Sequence, residues 1–241
     1  MNVIRSLKHG LLELVVFFPV VALLAWGAHS RNRVWNEALD LWKDTVRKSP
    51  AKARPYGNLG LAYLNAGDYE KAFEMTQKAI QIDPKLAEGY YNLSQIYEQW
   101  EKVDQAIQMA VRSLEIDPTH YISYFTLGGL YFKDQQYGKA EEAYQRFIKV
   151  YPYYPEAHNL LAVVYGAQRR FDKVIEALEG ELRTNPLHPL AHLNLGQVYW
   201  FEFRNRDKAL YHLKIALMVD PFLPERTKIR KLVQRLEGSS S

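Results

Sequence analysis

The sequence predicts an all-α fold. It reads as an α-solenoid of about five helix pairs, led by one N-terminal transmembrane helix and half a repeat, and closed by a C-terminal capping helix. Three observations carry this. From Ala53 onward a set of positions recurs every 34 residues, and a fixed period of that length marks stacked helical units. An almost wholly apolar run, Leu11 to Ala28 (LLELVVFFPVVALLAWGA), stands near the start. A last amphipathic stretch, Pro224 to Leu236, carries Ile229, Leu232, Val233 and Leu236 on one side, which suits the cap that a terminal unit needs.

The segments follow in order. Residues 1–10 form a short tail with Arg5, Lys8 and His9 and no acid. Residues 11–28 are the membrane candidate: eighteen helical residues span about 27 Å, close to the ~30 Å of bilayer hydrocarbon. Pro19 is tolerable in such a helix and Trp26 suits the headgroup layer. The same run also reads as a secretory signal, with Ala25 and Gly27 as small residues before a cut. Residues 29–52 give a helix of the second (B) type without its first (A) partner. Counting back from Pro50 places Trp35, Ala38 and Trp42 where the B helices of later units pack.

Residues 53–221 hold the five units. Position 4 carries Tyr56, Tyr90, Tyr124, His158 and His192. Position 7 is leucine throughout (Leu59, Leu93, Leu127, Leu161, Leu195), and position 8 is small (Gly60, Ser94, Gly128, Ala162, Gly196). Position 11 is tyrosine (Tyr63, Tyr97, Tyr131, Tyr165, Tyr199). These share one face of a first helix. Positions 20, 24 and 27 line a second: Ala72, Thr76 and Ala79 in unit one. Small residues at 8 and 20 are expected to let the two helices close, and the ring at 11 to fill the space toward the next unit. Pro84, Pro118, Pro152, Pro186 and, after one inserted residue, Pro221 end the second helices, which proline cannot continue. Pro155 and Pro189 are expected to open first helices. Val174, Gly180 and Glu181 depart from the pattern in unit four, where looser packing or a change of curvature is expected. Residues 222–241 form the capping helix and tail.

These residues resemble the tetratricopeptide repeat (TPR) family over roughly Ala53 to Pro221. The junction Arg31 to Pro50 (RNRVWNEALDLWKDTVRKSP) is more loosely similar to bacterial multi-pass membrane proteins whose last span leads into such repeats, some of them glycosyltransferase-like. The family resemblance implies a protein-binding concave groove lined by the first helices. Carried onto this chain, the groove positions give Leu61, Tyr91, Gln95, Phe125, Phe132, Asn159, Val163, Leu193, Gln197 and Trp200. The family's carboxylate clamp is not reproduced: of its positions only Asn92 matches, against Gly57, Leu61, Ile122 and Thr126.

Composition bounds the chemistry. The chain has no cysteine, which removes disulfides and thiolate catalysis. The repeats are close to neutral and the net charge of +4 resides at the two ends, unlike the basic stripe of a nucleic-acid binder. No phosphate loop, nucleophile elbow or HExxH motif is present. His158 and His192 read as packing residues, and His188 with His192 as at most half a metal site. The expectation is therefore a non-enzymatic scaffold without cofactor or metal. It would bind a protein or peptide partner within a membrane complex and contact lipid through residues 11–28. The alternative is the repeat module of a glycosyltransferase-like membrane system that positions substrate. The basic tail and the junction resemblance favour a single-pass bacterial inner-membrane protein with periplasmic repeats, although Arg31, Arg33, Lys43, Arg47 and Lys48 weigh toward the opposite orientation.

Overall fold

A computed structural model describes residues 37–154, 156–223 and 225–238. The transmembrane segment 11–28 and its lipid contact lie outside the described residues, as do Trp35 and Pro155. Among the described residues no helix is long and apolar enough to cross a membrane, and every regular element is helical. Residues 37–48 are helical and are named α1. Ten helices follow: α2 (Ala53–Asn65) paired with α3 (Tyr69–Ile82), then α4 (Ala87–Gln99) and α5 (Val103–Ile116), then α6 (Ile122–Lys133) paired with α7 (Tyr137–Val150), α8 (Ala157–Ala167) with α9 (Phe171–Thr184), and α10 (Pro189–Phe201) with α11 (Arg206–Val219). A single helix, α12 (Arg226–Gly238), ends the array. The all-α helical solenoid is thus present. The helices cluster into two compact units, Met1–Trp100 and Glu101–Ser241.

Local chemistry sets the helix ends. Each B helix stops two residues before its proline, because the residue preceding proline is pushed out of the helical region. Asp83, Asp117 and Asp220 adopt that extended conformation. The turn from A to B is built on a left-handed residue: Gly67 (φ 81°), Glu101 (58°), Gln135 (59°), Arg169 (58°) and Arg204 (52°). Only the first is glycine, for which this conformation carries no Cβ penalty. Pro189 sits at the start of α10. In unit four the helix begins later, at Ala157, after Glu156 in the left-handed region at φ 66°.

Within a pair the small residue at position 8 faces position 24. A Cβ on Gly128 would meet the Tyr144 ring at 2.7 Å, and one on Gly196 would meet Leu213 Cγ at 2.6 Å. Ala72, Thr76 and Ala79 are fully buried, as are Ala106, Ala110 and Ser113. The positions of unit four that depart from the pattern are themselves buried. Val174 and Leu178 are buried, and a Cβ on Gly180 would lie 2.7 Å from His158 Nδ1. Glycine there makes room for the histidine.

Three of the rings at position 11, those of Tyr63, Tyr97 and Tyr165, turn the other way from expectation, while Tyr199 stacks on His212 of its own pair at 5.7 Å. The three pack back on the preceding B helix, not forward. Tyr63 lies in a cluster with Leu39, Trp42 and Val46 of α1. Tyr97 meets Phe73 of α3 edge-on at 5.9 Å. Tyr165 accepts a hydrogen bond from Gln145 of α7 at 2.9 Å. The cause is the inclination of the pair: position 11 sits near the end of the A helix, over the open flank of the unit before it.

Candidate partner-binding surface

The groove residues named from the sequence all fall on A helices, and each compact unit holds its own share. In the first unit Leu61 (α2), Tyr91 and Gln95 (α4) are half-buried. Gln95 Oε1 is shielded and makes no hydrogen bond among the described residues. Asn92, one position from Tyr91, is buried and donates through Nδ2 to the Gly57 carbonyl at 3.1 Å, tying α4 to α2.

In the second unit the named residues divide by exposure. Val163 is 42% exposed, and Gln197 is half-buried. Phe125, Phe132 and Trp200 are half-buried and pack against the core cluster. Phe125 is held by rings on three sides: Phe147 at 5.0 Å, Tyr154 at 5.2 Å and Tyr144 at 5.8 Å. Leu193 and Asn159 are buried, at 8% and 9% exposure. Asn159 Oδ1 accepts from Asn194 Nδ2 at 3.2 Å. It is the counterpart of the Asn92 bond: position 6 of one unit reaching position 5 of the unit before. Leu190 and Phe201 add exposed apolar surface at the two ends of α10. The C-terminal helix does not cover this face. It packs on α11 through Ile229, Val233 and Leu236, while Arg206 and Arg226 bind backbone carbonyls of the cap and of the preceding turn.

Two polar features escaped the sequence reading. His192 Nε2 lies 3.0 Å from the Pro186 carbonyl and its Nδ1 lies 2.9 Å from His212 Nδ1. A carbonyl only accepts, so Nε2 of His192 carries the proton and the His212 Nδ1–H donates to His192 Nδ1. Burial pushes His212 down to about 4, with the neighbouring His192 and Lys208 adding to the effect. No group of three potential ligands gathers there or elsewhere among the described residues. His188 instead caps α10, accepting from the Ala191 amide at 3.1 Å. The second feature is Glu181, 1% exposed. Its Oε1 faces the Glu156 amide at 3.4 Å, at the start of α8, where the helix dipole favours a carboxylate.

On the B-helix side of the second unit lies an open hollow of about 370 Å³, walled by Val111, Leu114, Tyr124, Leu127, Tyr131 and Arg146 among others. Arg146 lies over the Tyr124 ring at 5.5 Å and donates to its hydroxyl at 3.2 Å and to Glu142 at 2.6 Å.

Comparison with known proteins follows the same lines. Tetratricopeptide repeat profiles match residues 53–86, 87–120, 125–173 and 161–222. No curated protein sequence matches the chain. Among solved structures, the chain is similar to YrrB, described as a TPR protein with an unusual peptide-binding site. The identity is 22% and the TM-score 0.67, over 80% of this chain and 100% of that one. It is similar to MamA at 27% identity and TM-score 0.63, over 69% of this chain and 91% of that one. The Pseudomonas aeruginosa pilF product aligns at 19% identity and TM-score 0.66, over 78% and 87% of the two chains. With matched repeats running from residue 53 to residue 222 and helix pairs that follow them, the chain belongs to the tetratricopeptide repeat family.

Proposed function

We propose that this chain is a membrane-anchored scaffold that holds a partner polypeptide against its A-helix face and serves in the assembly or organisation of a membrane complex. Tetratricopeptide repeats are protein-interaction scaffolds, and YrrB carries a peptide-binding site. The observation that carries the reading here is the exposure of Val163 at 42% in the middle of α8, between the half-buried rings of α6 and α10. Together with Leu190 and Phe201, exposed at the two ends of α10, this side chain leaves apolar surface open beside those rings, and a cluster of that kind, unlike a single exposed residue, marks a contact surface. The ten A-helix residues divide their labour. In the second unit Val163 and Gln197 touch the partner, the half-buried rings shape the face, and Asn159 and Leu193 support it from beneath; in the first unit Leu61, Tyr91 and Gln95 offer a contact surface of their own. In this reading residues 11–28 are a single-pass anchor in a bacterial inner membrane and the repeats are periplasmic.

The test is site-specific photo-crosslinking in native membranes. A crosslinker at Val163 or Gln197 is expected to yield one dominant adduct that is absent from the same probe at Glu179, on the exposed side of α9. Val163→Glu should abolish that adduct with the melting temperature within about 2 °C of the parent, since an exposed site carries little stability. Equal adducts at Glu179 would refute the assignment of the face. Digestion of the repeats by external protease in intact spheroplasts is expected; their protection would refute the orientation.

A further inference from the structure

The last three turns that lead from a B helix to the next helix end in exposed apolar side chains at one repeating position. The residue after the turn proline is Tyr153 at 79% exposure, Leu187 at 58% and Phe222 at 92%. Each has an exposed companion: Tyr151 and Tyr154 beside the first, Leu190 beside the second, and Met218 beside the third. In the earlier turns the same position holds Lys85 and Thr119. Successive turns of this kind lie on one edge of the unit, because each pair is antiparallel and each B helix packs on the A helix that follows it. Adjacent tips are then roughly 10 Å apart, the separation of packed helices.

We infer that this edge rests on the headgroup layer of a lipid bilayer, with Tyr153, Leu187 and Phe222 dipping into it. The arrangement is a row of separate protruding points, not a groove, and so suits a broad soft surface better than a single peptide. Tyrosine with its apolar body and polar tip favours the membrane interface. Lys149 in the last turn of α7 and Arg183 in the last turn of α9 stand beside the tips, with stems long enough to reach phosphate. Two of the acids beside Phe222 are engaged locally, while the exposed Glu156 stands beside Tyr154. Asp220 accepts from the Phe222 amide at 2.7 Å and Glu225 pairs with Lys228 at 2.7 Å. The occupant is also indicated by the sequence, since residues 11–28 of the same chain are apolar over a bilayer's thickness. This inference rests on the membrane-anchor reading, under which even a weak contact at the edge is made intramolecular.

The chain has no cysteine, so single spin labels can be placed cleanly. The full chain is reconstituted into nanodiscs of phosphatidylcholine and phosphatidylglycerol. Labels go at Tyr153→Cys, Leu187→Cys and Phe222→Cys, and at Asp134→Cys and Glu202→Cys on the opposite edge. Collision with oxygen is compared with collision with a water-soluble nickel chelate. The three tips are expected to show an oxygen-to-nickel ratio several-fold above the two controls. Tips as open to nickel as the controls, in a chain that stays with the discs, overturn the inference and leave the anchor standing. That is also the outcome if the edge binds a protein instead. A chain that does not co-purify with the discs overturns both.

Discussion

Two adjacent glycines in α6 make opposite predictions when each is replaced by alanine. On an exposed helix position such a change gains about 0.5–1 kcal/mol, because alanine loses less backbone entropy. A Cβ on Gly129 meets only the Tyr144 hydroxyl, at 3.6 Å, an ordinary contact. Gly129→Ala should therefore stabilise the chain by most of that amount. A Cβ on Gly128 lies 2.7 Å from two ring carbons of Tyr144. The ring would have to retreat by roughly 0.7 Å to reach normal contact, yet it is 3% exposed and held edge-on by Phe125. Overpacking of this kind costs about 1–3 kcal/mol, so Gly128→Ala should be net destabilising by roughly 1–2 kcal/mol. The double variant Gly128→Ala/Tyr144→Leu recreates the combination already present in unit four, where Ala162 stands opposite Leu178. It should be more stable than the sum of its parts by ~1 kcal/mol or more. Urea midpoints of the full chain, followed by far-ultraviolet circular dichroism, measure all four. A Gly128→Ala chain as stable as Gly129→Ala would refute the claim that position 8 is set by its partner at position 24.

Other outcomes follow from the structure. His212 has its folded value lowered to about 4, below the ordinary ~6.5 of an unfolded histidine. The unfolded chain therefore takes up the proton first. The stabilising contribution is present above pH ~6.5, falls as the pH drops toward 4, and amounts to ~1–2 kcal/mol for a half-buried ring after solvent screening. His212→Asn should flatten the melting temperature between pH 7 and 4.5 relative to the parent. Asn92→Ala removes the link from α4 to the Gly57 carbonyl, which keeps its own helical donor, and should cost about 0.5–1.5 kcal/mol, read from the urea midpoint. Gln135→Gly places glycine where the backbone is already left-handed at φ 59°; relief of about 1 kcal/mol should raise the melting temperature by ~2–4 °C.

The helix pairs were legible because the period imposes them: each leucine at position 7 and each tyrosine at position 11 repeats the same burial problem, and only one stacking solves it. What a period cannot show is direction. Tyr63, Tyr97 and Tyr165 sit on the face expected, yet pack backward, because that depends on how one pair leans on another. The left-handed turn residue was hidden for a chemical reason. Glu101, Gln135, Arg169 and Arg204 take a conformation that glycine usually signals, and only Gly67 announces it. The His192–His212 contact is 20 residues apart in sequence and follows a one-residue insertion, so no periodic register aligns the two. Of the candidate surface, the helix face could be read from the repeat, but the division between exposed Val163 and buried Leu193 could not. Both are apolar groove positions, and neighbouring side chains decide which of them meets solvent.

The backward-facing rings give the array a polarity like that of tongue-and-groove boarding. Each board carries its tongue on the trailing side and presents a slot to the one behind. A stack of such boards can be finished neatly in one way only: a slot without a tongue at the head, and at the foot a plain strip that fills the last slot and turns a planed side outward. Among the described residues the helix α1, receiving Tyr63 against Leu39 and Trp42, is the first piece. The single helix α12, apolar toward α11 and charged elsewhere, is the second. Lengthening the array by a board therefore asks for insertion between Pro50 and α2 or after α11, and a cut made anywhere inside a pair would leave raw timber on both sides.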